Sequence, residues 1–436
     1  MNNIDTLIHS RWVIPVDGKR RCLPDHAIAI HEEKIVDILP CDQAEQQYQA
    51  HTVRRLDQHA LIPGLINSHT HAAMNLFRGL ADDLTLMDWL QNHIWPAEAQ
   101  HVNEAFVQTG TELAVAEMLR GGTTCYNDMY FFPDVTARVT ADIGMRANVG
   151  LILIDFPTVW ANNSEEYIDK GLAVFDHYKG HELIRTSFAP HAPYTVSDEP
   201  LKQVLTLSNE LDIGVHMHIH ETAFEVEQAV ENTGRRPIDR LEAFGALSPS
   251  LQAVHMTQLT DGEIERMASN GAHVVHCPES NMKLASGICP VPALLDAGVN
   301  VCLGTDSSSS NNDLDMFGEM RTAALLAKVN SMDATVLPAD TVLAMATING
   351  ARALGLEAVT GSLEVGKMAD IVAVNFDTIE AMPVYDPISH LVYSCSRQQV
   401  TDVWVAGKQL LSERILTTID TEKLKRDCES ITRKIN

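Results

Sequence analysis

Two histidines two residues apart, His69 and His71 in "GLINSHTH", project from one face of an extended chain about 6–7 Å apart, a span suited to gripping one ion. Further along, "HMHIHE" places His216, His218 and His220 on one face by the same alternation, and spacing alone does not choose among them. His218 can add a third nitrogen, and Asp306 in "LGTDS" can add a carboxylate oxygen. Three imidazoles and one oxygen leave room for a water, which is the open donor set of a catalytic rather than a structural metal site. Alone, the His69/His71 pair would read as two strand-end histidines and Asp306 as a helix N-cap. Their combination argues for a divalent cation.

Such groups need strands to aim them. Eight apolar runs follow one another from residue 61: 61–71, 122–129, 146–154, 184–192, 213–221, 252–258, 272–280 and 299–307. Helical patterning separates them, as where Leu201, Val204, Leu205, Ser208 and Leu211 recur at i, i+3, i+4, i+7 spacing. Strands apolar on both faces, each followed by a helix, predict a parallel sheet closed into a (β/α)8 barrel, with an open doubly wound sheet as the competitor. The barrel is favoured because His69, His71, Asp128, His191, His218, Glu221, His255, His276 and Asp306 all fall near the C-terminal ends of their runs, the catalytic face of such barrels.

The ends of the chain read differently. Residues 1–58 hold short alternating strands, and "DIVAVNF" and "VTDVWVAGKQLL" hold matching ones, so a small β-sandwich built from 1–58 and 366–436, with a tail helix, is expected around a barrel at 59–365. The 436 residues suffice for both. A net charge of −26, from 32 basic against 58 acidic residues, argues against a nucleic-acid partner. Eight cysteines without a CxxC pair read as buried thiols. No apolar run of membrane-spanning length and no export signal is present, so no membrane partner and a cytoplasmic location are expected.

Taken in order, "PGLINSHTH", the His218–Glu221 HxxE, "VHCPESNMKLASGICPV", "GTDSSSSNNDLDM" and "GSLEVGKMADIV" resemble the metal-dependent amidohydrolase superfamily, in its cytosine/guanine/adenosine deaminase branch. Within that branch the resemblance over residues 10–410 is to 5′-methylthioadenosine/S-adenosylhomocysteine deaminases. It implies that His69, His71, His218 and Asp306 hold one divalent metal, zinc first. The lysine that two-metal relatives carry on strand four is missing from "LIRTSFAPHAPYT". The implied chemistry is hydrolytic deamination at purine C6 of 5′-methylthioadenosine, with S-adenosylhomocysteine or adenosine as further candidates, releasing ammonia and the inosine analogue. Glu221 would carry a proton to N1 and onward, Asp306 would take one from water activated by the metal, and His255 would orient the hydroxide. Glu98 would accept from ribose hydroxyls and His191 would bind the purine, with Glu221 and Asp306 also touching substrate.

His276 and Asn281 match the family motif as supporting residues. Segment 75–97, with Phe77, Met87, Trp89 and Trp95, reads as a lid over an apolar 5′ substituent, as a packed rim helix, or as both. The amino-acid tail of S-adenosylhomocysteine calls for a cation, for which Arg120 and Arg146 are the candidates by position. Alternatives are a deaminase or chlorohydrolase of a ribose-free ring (guanine, a pterin or an s-triazine) and a non-catalytic scaffold. A small-molecule nucleoside substrate and a homo-oligomer, dimer or tetramer, complete the expectation.

Overall fold

The structure is a computed structural model that describes residues 1–435. Eight parallel strands follow the predicted runs: β1 (Leu65–Thr70), β2 (Thr123–Tyr130), β3 (Arg146–Leu153), β4 (Ile184–Pro190), β5 (Val215–Ile219), β6 (Leu251–His255), β7 (His273–His276) and β8 (Asn300–Leu303). Nearly every residue in them is buried, as strands covered on both faces require. They hydrogen-bond in chain order from β1 to β8. Register is set residue by residue: Leu251 of β6 lies opposite Val215 of β5, and His276 of β7 opposite Leu303 of β8.

The seam between first and last strands is bridged just beyond β8. Asp306 N–H donates to His69 O at 3.0 Å, the Thr70 hydroxyl donates to Asp306 O at 2.9 Å, and Asn67 Nδ2 donates to Thr305 Oγ1 at 2.8 Å. Gly304 permits this approach, because a Cβ there would stand 2.7 Å from His69 N. The arrangement is the expected (β/α)8 barrel.

Between strands the helices present the apolar stripe read from the sequence. The helix Asp198–Leu211 buries Leu201, Val204, Leu205 and Ser208. The helix Asp261–Asn270 starts at a Thr260/Glu263 capping box and stops at Gly271, whose φ is 70°.

Strands from the two termini form a second, mixed eight-stranded sheet, in which Ile371 of the strand Ile371–Asn375 pairs antiparallel with Pro63 of the strand Tyr48–Pro63. Ile8, Ile28, Ile35, Leu56, Ile371 and Trp404 form its core cluster. Buried Asp402 there receives a 2.8 Å bond from Arg54 Nη2. The chain divides into two compact units, one of Met1–Ile66, Ala116–Cys125 and Asp315–Ile419, the other of Asn67–Val115, Tyr126–Leu314 and the chain from Asp420. A helix, Thr421–Ile435, ends the second. Every side chain of the site described below belongs to that second unit. Among the described residues all eight cysteines are unpaired, and no helix is long and apolar enough to cross a membrane.

Candidate active site

Four side chains converge at the C-terminal face of the barrel. His69, His71, His218 and Asp306 each offer one donor atom, and the four atoms lie within 4.8 Å of one another. His69 and His71 come from the end of β1, His218 from β5, and Asp306 from the turn after β8. Each imidazole has its Nδ1 tied back: His71 to Met129 O, His218 to His191 O at 2.8 Å, and His69 to His216 Nε2 at 2.9 Å. The Nε2 atoms therefore face inward as ligands. His69 Nε2 stands 3.2 Å from His218 Nε2 and 3.3 Å from Asp306 Oδ1, which is also 3.3 Å from His71 Nε2.

Two imidazole lone pairs do not face each other at hydrogen-bond distance without an electrophile to share. Those three separations are about what neighbouring ligands 2.0–2.1 Å from one zinc would show. The donor set fits a divalent metal with one position open.

Asp306 divides its carboxylate. Oδ1 faces the histidines, while Oδ2 accepts from the Ser280 and Ser310 hydroxyls at 2.6 and 2.8 Å. Burial works against its charge, but the bonds with His69 and His71 hold the carboxyl well below the usual range. Glu221 has the opposite setting: buried, and close to the charge of Asp306, its carboxyl is pushed well above the ordinary value. Its Oε1 lies 3.5 Å from the Ser286 hydroxyl and its Oε2 3.7 Å from His255 Nε2.

His255 is buried and kept neutral, its pKa lowered to about 3 by burial. The Asn281 amide holds its Nδ1 at 2.9 Å, so with Nδ2 donating, the ring proton sits on Nε2 and faces Glu221. The ring stacks on His218 with centroids 5.4 Å apart and planes at 17°.

Backbone strain collects here. His220, His255, Met256 and Asp306 all have positive φ, between 51° and 75°, at the strand ends that turn toward the site. At the His220 turn, Glu225 accepts the backbone N–H groups of His220 and Glu221 at 3.1 and 2.8 Å, fixing the bend that leads from the strand to the Glu221 carboxyl.

A cavity of about 490 Å³ opens over the cluster, lined by His71, His218, Asp306 and Glu221 and also by Glu98 and His191. Glu98, in the first turn of the helix Trp95–His101, is raised to about 7 by burial, against the pull of Tyr130 beside it. His191 is lowered to about 3 by burial, and its Nδ1 bonds Thr195 Oγ1 at 3.0 Å.

Segment 75–97 divides its aromatic residues. Phe77 packs on Phe106 in the core with ring centroids 4.8 Å apart, whereas Trp89 and Trp95 line the cavity. A π-helical turn at Trp89–Ile94 sets Trp89, Leu90 and Ile94 as buried cavity wall. The three histidines of β5 also separate: His218 joins the cluster, His216 stands behind His69, and His220 accepts from Ile238 N–H at 3.4 Å.

His276 is buried but absent from the cavity lining. Neither arginine proposed for a substrate tail reaches the cavity. Arg146 Nη1 donates to Glu182 O and Arg120 Nη1 to Arg414 O, because each sits at the N-terminal side of its strand, away from the catalytic face. Ser280, Ser310, Glu225 and Tyr130 were not singled out from the sequence. The serine run after Asp306 was the one visible hint among them.

Residues 60–410 match the Amidohydrolase family. The chain is 49% identical over 420 residues, covering 96% of it and 94% of the relative, to a 5-methylthioadenosine/S-adenosylhomocysteine deaminase of Saccharophagus degradans. It is 41% identical, with 96% of each chain covered, to a 5′-deoxyadenosine deaminase of Methanothermobacter thermautotrophicus. A solved adenosine deaminase from Xanthomonas campestris with bound zinc superposes with a TM-score of 0.99 at 49% identity, covering 100% of this chain and 99% of that one. With a barrel-mouth cluster of three histidines and one aspartate and a family match spanning most of its length, this chain belongs to the amidohydrolases, the metal-dependent hydrolases.

Proposed function

We propose that this chain deaminates 5′-methylthioadenosine by hydrolysis, giving the inosine analogue and ammonia. The observation that carries the reading is one cavity lined by two carboxyls outside the donor set, Glu221 beside the metal cluster and Glu98 on the helix Trp95–His101, which supports a proton carrier and a ribose acceptor in one site. The names of the relatives, deaminases of methylthioadenosine/S-adenosylhomocysteine and of 5′-deoxyadenosine, support the same substrate class.

His69, His71, His218 and Asp306 would hold the metal. A divalent cation in such a site supplies Lewis acidity, lowering the pKa of water toward neutrality. The remaining steps belong to the protein. Glu221, kept protonated by burial and the nearby Asp306 charge, donates to purine N1 and, after recharging, to the departing amine. Asp306, held as a carboxylate, accepts the proton of the attacking water. His255, neutral with its proton on Nε2, would orient the attacking water, and His191 borders the purine.

A panel of purine nucleosides and free bases, followed by ultraviolet difference on metal-loaded enzyme, tests the reading. Methylthioadenosine is expected to give the highest kcat/KM. Preference for guanine, a pterin or an s-triazine would replace the nucleoside reading with a ribose-free ring.

A further inference from the structure

The cavity over the metal cluster has no arginine or lysine among its lining residues. Its carboxyls, Glu98, Glu221 and Asp306, are all assigned to ribose, proton transfer or metal. The rest of the wall is largely aromatic and aliphatic, with Trp89, Ile94, Phe131 and Ile154 beside the pair Trp95 and Phe156. Those two rings meet edge to face, centroids 6.1 Å apart and planes at 63°. Both, together with Leu86 and Tyr194, also line a second cavity of about 740 Å³, so these four side chains border the inner space and an outer one.

The outer cavity is the one that carries cations: Arg235, Arg236 and Arg240. Arg236 clasps Glu263 with Nε at 2.6 Å and Nη2 at 2.9 Å. Arg240 binds Asp198 at 2.8 Å and the carbonyls of Pro193 and Val196. Arg235 is exposed.

We propose that the Trp95–Phe156 pair is the specificity wall for the nucleoside's 5′ end, admitting a small apolar substituent such as methylthio and rejecting a chain that ends in an amino-acid zwitterion. The inference rests on the nucleoside reading above and sharpens its substrate class. A carboxylate carried into the inner cavity finds no arginine or lysine on its wall, the metal at the floor being taken up with the reaction, and an unpaired charge in such a site is costly. A methylthio group instead gains apolar contact against rings already in place. The arginines line the outer cavity alone, and the two rings are among the four side chains common to both cavities.

The test compares kcat/KM for methylthioadenosine and S-adenosylhomocysteine on the metal-loaded enzyme and on a Trp95→Ala/Phe156→Ala double variant. The wild type is expected to prefer methylthioadenosine by about 100-fold or more, the scale at which a missing polar partner discriminates. The double variant should narrow that ratio about tenfold, mainly through a lower KM for S-adenosylhomocysteine. Should the double variant not accumulate, Phe156→Ser makes the same comparison at a ring already 41% exposed. A wild-type ratio near unity, with methylthioadenosine well used, overturns the inference alone, as does a ratio unmoved by the substitutions. Turnover of neither nucleoside, with a ribose-free ring hydrolysed instead, overturns the functional reading and the inference with it.

Discussion

His218 donates its Nδ1 proton to the main-chain carbonyl of His191 at 2.8 Å, so the end of β4 fixes which nitrogen the end of β5 presents to the metal. His191 itself lines the substrate cavity. The donor cluster and the cavity wall are therefore referred to the same few backbone atoms.

The convergence of four donors within 4.8 Å predicts one divalent ion per chain. Elemental analysis of active protein should find about one equivalent, and His218→Ala should lose most of it, with second-sphere changes costing about 10–100-fold and a ligand loss more. Two equivalents in fully active enzyme would contradict a single site.

Replacing Glu221 by Gln removes the proton carrier while leaving all four donors. Metal content should stay near wild type while kcat falls by at least about 100-fold. Near-full activity would remove Glu221 from the chemistry.

Glu98 has a sign that can be worked out. With its pKa raised to about 7, it is largely protonated at pH 6 and becomes the carboxylate that accepts ribose hydroxyls as pH rises through that value. KM for methylthioadenosine should fall between pH 6 and 8, by up to about tenfold for one charged hydrogen bond. In Glu98→Gln this slope should vanish and KM should stay high. A slope unchanged in the variant would place the titrating group elsewhere.

Asn281→Ala should leave metal content intact and lower kcat by about tenfold, since the amide only sets the ring proton of His255. A pH profile that also shifts would show the imidazole titrating once released. Loss of metal in this variant would make the residue structural instead.

Glu225 is raised to about 7 by burial, against its backbone bonds to Glu221 and His220. Between the ordinary carboxyl value and about pH 7 the folded chain keeps a proton that the unfolded chain has released. This group's contribution to stability is therefore present at low pH and declines as pH rises through that window. Glu225→Gln should flatten that decline in thermal melts and cost about 1–3 kcal/mol, because the amide can accept from only one of the two N–H groups. A melt slope identical to wild type would refute the assignment.

How much of this was legible in the sequence depended on the kind of signal. Long apolar runs and an HxH repeat persist through folding, so the barrel and the placing of His69, His71, His218 and Asp306 at its mouth followed from spacing and resemblance. Alternation failed where strands end. It put His216, His218 and His220 on one face, but β5 stops at Ile219, and the positive φ of His220 swings that ring to Ile238. Hydroxyls and amides were harder still. Ser280 and Ser310 meet at Asp306 Oδ2 from segments 30 residues apart, and serine carries no periodic signature that announces such a meeting. The arginines misled because both stand at the N-terminal side of their runs, whereas the site lies at the C-terminal face.

The seam bonds have an evolutionary corollary. Asp306 lends its carboxylate to the ion and its main chain to His69 O, so the last metal ligand is also the clasp of the ring. Because the clasp is made by main-chain atoms, a lineage could exchange the Asp306 side chain, and with it the chemistry, while the bonds to His69 and Thr70 still close the ring.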